Sequence, residues 1–361
     1  DGWRLLIGRD SGIMQMGFGQ LWVWGKYVGG VVFMFALLFS GTASHASITV
    51  LVEQPYGKLG LVDPGGHTAI YLDHVCAETP LKLRPCHAGE LGVVISRYDG
   101  IARPGGIGKV DWVAMPLMGY LYAADAASEI PETVDKDQEV ALRDVYRHRH
   151  LLRLAPDQPD GSAPKGNWYE LAGSSYDRTI YGFRAKSTPQ QDARLIALMN
   201  DSKNKEKYNG FYRNCADFVR SIVNMYYPHA LRRNWIADLG VTSPMNVAKD
   251  LAHYGKKHPS IELETFVIPQ VEGTLPRSHS NTGVMEGMVK RYAIPMTILS
   301  PELTAVALVA YVGQGRFQMP KETTVIDLQD RSSKKFLVES TKAYRKSAKS
   351  ATPEADMKAA H

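Results

Sequence analysis

The spacing of apolar positions changes along the chain. Ser47–Glu53 (SITVLVE) is rich in β-branched residues. Turn formers at Tyr56-Gly57 and Asp63-Pro64-Gly65-Gly66 separate it from His67–Leu72 (HTAIYL). A polar loop follows, and Leu91–Arg97 (LGVVISR) predicts the next strand. Trp112–Ala123 is apolar without a decisive period and fits a buried strand pair or a helix, and Pro116 breaks either one. Lys136–Leu152 predicts a heavily charged helix. A soft loop at 156–166 precedes two expected strands, Trp168–Leu171 and Arg178–Ala185.

Further on the pattern turns helical. Thr188-Pro189 opens a helix through Asn200, with proline at the first helical position. Asn214 caps a helix from Cys215 to about Tyr227, whose apolar stripe is Phe218, Val219, Ile222, Val223 and Tyr226. Ser243-Pro244 starts another through Tyr254, and Ile261–Ile268 reads as a late strand. Ser300-Pro301 opens a short apolar helix, Glu302–Val312, too short to span a bilayer. No repeat is visible, which excludes solenoids and propellers. The expected class is α+β: a mostly antiparallel sheet with helices packed on it.

Composition narrows the function classes. The chain has 361 residues, 44% apolar, 22% charged and 9% aromatic, so it can bury a core of one large domain or two ordinary ones. A net charge of +5 is too weak a bias to argue for nucleic acid. The run 331–349 carries seven Lys/Arg against one acid and reads as a solvated helix or loose tail beside possible contact with anionic lipid or wall polymer. Residues 16–46 read as a secretory signal. Lys26 stands before an apolar Tyr27–Phe39, and Ser44-His45-Ala46 offers small residues for cleavage. The alternative is an uncleaved N-terminal anchor. Export places the chain in an oxidising compartment, where Cys76 and Cys86, ten apart, are a plausible disulfide and Cys215 is left over.

Cys215 is the main candidate for chemistry. A helix N-terminus directly after a capping asparagine favours thiolate. Such a thiolate needs a base or ion-pair partner. His67, following a Gly-Gly turn at a strand start, is the best-placed histidine. The run Pro104-Gly105-Gly106-Ile107-Gly108-Lys109 lacks the first glycine and the hydroxyl residue of a phosphate loop and reads as a turn. His148-Arg149-His150 sets its two rings apart on a predicted helix, which argues for a charged face over a metal site. No metal or cofactor is expected.

Two segments carry a resemblance. Pro64-Gly65-Gly66-His67-Thr68-Ala69-Ile70-Tyr71-Leu72 resembles the histidine strand of the permuted papain-like thiol enzymes. Tyr208-Asn209-Gly210-Phe211-Tyr212-Arg213-Asn214-Cys215-Ala216-Asp217-Phe218-Val219 resembles their Asn-Cys-x-x-Phe-Val nucleophile helix. That group includes lecithin:retinol acyltransferase and relatives of the bacterial cell-wall endopeptidases, and it places histidine before cysteine, as here. The resemblance implies Cys215 as nucleophile and His67 as ion-pair partner and base. It also implies a third polar residue on the following strand. Glu90 is the first choice there, with His87, Ser96 and the loop residue His74 as rivals.

The resemblance frames a catalytic domain at 47–228 with an insertion at about 110–165. An upstream extension plus signal peptide (1–46) precedes it, and a C-terminal α/β extension (229–320) and a polar basic tail (321–361) follow. The function it implies is an exported cysteine hydrolase, periplasmic or secreted, that cleaves an amide or peptide bond, with cell-wall material among the expected substrates. The alternatives are a lipid acyltransferase or thioesterase on the same fold, its acyl pocket drawn from Trp112–Ala123 and Glu302–Val312, and a non-catalytic envelope binding module.

Overall fold

A computed structural model describes residues 46–57, 65–87, 89–100, 110–205, 208–315, 317–320 and 324–325. The expected signal segment up to residue 45, the turn at 104–109 and the basic run 331–349 lie outside the described residues.

The strands are β1 (Ser47–Glu53), β2 (His67–Leu72), β3 (Val75–Thr79), β4 (Lys82–Pro85), β5 (Val93–Ser96), β6 (Val113–Pro116), β7 (Thr133–Val134), β8 (Ile180–Lys186), β9 (Glu264–Ile268), β10 (Glu272–Gly273) and β11 (Thr324–Val325). Seven of them form one sheet in the order β11-β9-β8-β1-β2-β5-β6, antiparallel throughout except for the β11–β9 pair. The helices are α1 (Leu117–Tyr122), α2 (Lys136–Tyr146), α3 (Ser174–Asp177), α4 (Pro189–Asp201), α5 (Cys215–Tyr226), α6 (Pro244–Lys257), α7 (Val284–Leu299) and α8 (Pro301–Ala310). The α+β class expected from the sequence is the one observed.

Both faces of the sheet are covered. All seven residues of β1 are buried, as a strand with helices on each side requires. On one face Val50, Ile70, Leu72 and Ile95 pack against α4, α5 and α6 through Leu195, Phe218, Val219 and Val247. On the other, Leu51, Ala69 and Val94 pack against Tyr120, Tyr146 and Tyr176 from α1, α2 and α3. The segment 110–165 thus supplies much of the core on that second face, as well as the edge strand β6. The region 229–320 adds β9 to the same sheet, antiparallel to β8.

Several elements differ from the sequence reading for identifiable reasons. The apolar run from Trp112 splits at Pro116 into β6 and α1. The strand expected at Trp168–Leu171 is a 3-10 turn, in which Trp168 Nε1 donates to the Pro164 carbonyl at 2.8 Å. Helix α7, which contains Pro295, was not expected at all. The pair Cys76–Cys86 is a disulfide joining the start of β3 to the residue after β4, with Cα atoms 4.8 Å apart. The segment 147–151 continues α2 as a π-turn. His148 there pairs with Asp144 and Asp157, and His150 with Asp125 at 2.7 Å, a charged surface as the spacing suggests.

Candidate active site

Asn214 starts α5 by accepting the Asp217 N–H on its side-chain oxygen at 2.9 Å. Its amide nitrogen donates to the carbonyls of Gly210 and Thr242, each at 3.0 Å. One side chain therefore caps the helix and ties its first turn to two loops. Asp217 adds a second tie, because its Oδ1 accepts from Thr242 Oγ1 and from Arg233, both at 2.7 Å. The buried face of α5 fixes the helix to the sheet. Cys215 at its first turn is held, nearly buried at 8% exposure, and takes no part in the disulfide.

His67 begins β2 after Gly66, which has φ +76°. A Cβ at Gly66 would fall 2.2 Å from the Glu53 carbonyl and 2.5 Å from Asn281 Nδ2, so this turn admits only glycine. Asn281 Nδ2 donates to that carbonyl at 2.8 Å, joining the segment before α7 to the end of β1.

The sheet register decides what surrounds the imidazole. Glu53 lies directly opposite His67 on β1. On β5, Ser96 is opposite Ala69, so continuing the antiparallel register sets Tyr98 beside His67. The two rings stack, with centroids 4.4 Å apart and planes 9° from parallel. The Tyr98 hydroxyl donates to the Glu170 carbonyl at 2.9 Å. Glu53 is fully buried and accepts from Tyr120 and, at 2.8 Å, from Ser174 Oγ. Arg178 lies 3.3 Å from the Glu53 carboxylate, 3.5 Å from Glu170 Oε2, and 4.4 Å over the Tyr56 ring.

This surrounding sets the imidazole's charge. Burial first, and the Arg178 guanidinium second, pull His67 well below the ordinary histidine range. The ring is therefore neutral at pH 7, and a resting ion pair with a thiolate is disfavoured at this site. Its Nε2 is buried without a hydrogen-bond partner among the described residues.

Cys215 and His67 both line one cavity of about 500 Å³. Tyr98, Glu170, Asn214 and Thr242 share its wall, and Gly283, Val284, Met288, Arg291 and Tyr292 close it from the start and middle of α7. The geometry differs in one respect from a ring facing the helix across the sheet. By strand alternation His67 belongs to the Ala69 face, whereas α5 covers the Ile70 face. The two residues share the cavity beyond the strand's end.

Glu90 is not brought to this cavity. Arg84 engages both of its carboxylate oxygens at 2.6 Å, and Oε2 also accepts the His87 N–H at 2.7 Å. The Arg84 bonds hold its carboxyl below the ordinary range. The hairpin β3–β4 supplies that arginine, six residues before Glu90. His87 is exposed, and His74 Nδ1 lies 2.6 Å from Asp73 Oδ1 in the turn after β2. Ser96 is buried one register step along from Tyr98. None of these rivals lines the cavity. Tyr98, Glu53, Arg178 and the α7 wall were missed. Tyr98 and Glu53 could have been found by pairing strands outward from His67.

Among the described residues, the one group of donors close enough for a metal is Cys76, Cys86 and Glu90. Both sulfurs are already spent in the disulfide. No protein-family model, curated protein or solved structure matches the chain.

Proposed function

We propose that the protein is an exported cysteine hydrolase of circularly permuted papain-like fold, cleaving an amide or peptide bond with Cys215 as nucleophile and His67 as base. The observation that carries this reading is the shared cavity: a cysteine at a capped helix N-terminus and a buried neutral histidine in the walls of one chamber. Its volume is in the range of small-ligand sites.

The chemistry follows from the charge state. A neutral imidazole accepts the thiol proton as sulfur attacks the carbonyl carbon. The tetrahedral oxyanion forms beside the N-terminus of α5, where first-turn N–H groups including that of Cys215 are its donors, each worth about 3–4 kcal/mol in such sites. Collapse expels the amine, which takes the proton from the imidazolium. Water then attacks the thioester, with His67 again as base, and the acid leaves. Tyr98 is a positioning residue, holding the ring by stacking in place of the carboxylate the sequence suggested.

A second reading, lipid acyl transfer or thioester hydrolysis on the same residues, is favoured by the wall that α7 contributes. Met288 and Tyr292 line the cavity, and the same helix continues into an exposed apolar stretch. Turnover of peptide amides, cell-wall fragments and acyl esters by the purified protein, beside Cys215→Ala, separates the readings. Amide cleavage abolished in Cys215→Ala is the expected result. Cleavage that survives the substitution would overturn both.

A further inference from the structure

Helices α7 and α8 form a hairpin that leaves most of its apolar surface in solvent. Helix α8 packs through Thr304, Ala307 and Ala310 alone, while Leu303, Val306, Leu308, Val309 and Val312 are exposed. The distal part of α7 exposes Ile294 (77%), Ile298 (78%) and Leu299 (85%). From Tyr292 to Val312 the sequence holds a single charge, Glu302. An apolar surface of this extent marks an interaction site.

Its shape and charge select the partner. Apolar side chains leave α8 on several sides, so a protein groove would have to wrap the hairpin, whereas lipid solvates every side at once. No helix among the described residues is long and apolar enough to cross a membrane. The exposed part of α7, ten residues from Lys290, measures about 15 Å at 1.5 Å per residue, roughly half a hydrocarbon core. Cations stand at its base: Lys290, paired with Glu286 at 2.6 Å, and Arg291, which makes no ion pair among the described residues. The run 331–349, with seven Lys/Arg against one acid, follows in the sequence. Glu302, which accepts from Ser300 Oγ at 3.2 Å at the turn, limits the depth of entry.

We infer that the α7–α8 hairpin docks the protein on an anionic phospholipid surface by shallow insertion of Ile294, Ile298, Leu299, Val306 and Val309. Because α7 also walls the cavity through Met288, Arg291 and Tyr292, the docked surface lies beside the proposed site. The docking itself does not depend on the hydrolase reading.

Flotation of the full chain with phosphatidylcholine vesicles, with and without phosphatidylglycerol, tests this. The protein should float with the anionic vesicles, less so in high salt. Ile298→Ser/Val309→Ser should lower the partition coefficient by about tenfold or more, from the lost burial of two aliphatic side chains. Cys215→Ala should float like the parent, so this result and turnover are read separately. As an independent readout, Leu299→Trp should gain fluorescence that brominated lipid quenches. Absence of flotation, or flotation undiminished in the double variant, which would assign binding elsewhere in the chain such as Tyr27–Phe39, overturns the inference. So does self-association that the double variant abolishes without any vesicle binding, which would make a second copy the occupant.

Discussion

Asn214 offers the sharpest quantitative test of how the nucleophile is held. Its side chain makes three hydrogen bonds from a position 9% exposed: acceptor to Asp217 N–H at 2.9 Å, and donor to the carbonyls of Gly210 and Thr242 at 3.0 Å each. Removing a cap costs about 1 kcal/mol. Each of the other two bonds contributes about 0.5–1.5 kcal/mol, and their loss leaves the carbonyl of Thr242, a fully buried residue, without that donor. Asn214→Ala should therefore destabilise the fold by about 2–4 kcal/mol. Asn214→Ser keeps the cap and loses only the two donors, so it should recover about 1 kcal/mol of that loss. Urea denaturation reads both. With a slope of about 3 kcal/mol per M, the alanine variant's midpoint falls by roughly 1 M at an unchanged slope. A loss below about 0.5 kcal/mol in Asn214→Ala would refute the account of the helix start, and equal losses in the two variants would remove the cap from it.

Four further outcomes follow from contacts described above. An unfolded chain binds a proton at His67 near pH 6.5, whereas the folded chain resists it until well below that value. Stability from this residue is therefore present above pH 6.5 and lost as pH falls toward the folded value, by at most about 1.4 kcal/mol per pH unit, and urea melts of His67→Asn should show a flatter acid limb. Cys76→Ser/Cys86→Ser should cost about 2–3 kcal/mol in the same melts while leaving turnover in place, since the disulfide closes a short loop away from the cavity. Glu90→Gln should leave turnover within about twofold and stability within about 1 kcal/mol, because its partner is a half-exposed Arg84. Tyr98→Leu, by contrast, should lower kcat with little change in KM, and Tyr98→Phe, which keeps the stacked ring, should restore most of it.

Local signals in the sequence were legible, and long-range ones were not. The start of α5 follows from an asparagine before a cysteine and the stripe Phe218, Val219, Ile222, Val223 and Tyr226, and the structure places cap and stripe there. Thr188-Pro189 and Ser243-Pro244 likewise announce α4 and α6, with capping side chains at both positions. The Gly-Gly turn before His67 reads directly, because only glycine fits beside the Glu53 carbonyl. What surrounds the imidazole does not. Glu53 is 14 positions upstream of His67 and Arg178 far downstream, and they meet only through the β1–β2 register and α3. The pattern around Glu90 suggested a carboxylate at a strand entrance, and Arg84 claimed it instead. Helix α7 escaped detection because Pro295 interrupts its interior and its outward face is apolar, which erases the amphipathic period.

The partnership of Cys215 and His67 is tested most directly by the rate of Cys215 alkylation with iodoacetamide across pH, in the parent and in His67→Ala. A base acting on the thiol predicts fast alkylation persisting below the ordinary thiol range in the parent. In His67→Ala it predicts a fall of about tenfold or more at neutral pH, with a profile that returns to that of a simple thiol near pH 8.5. Superimposable profiles in the two proteins would contradict it.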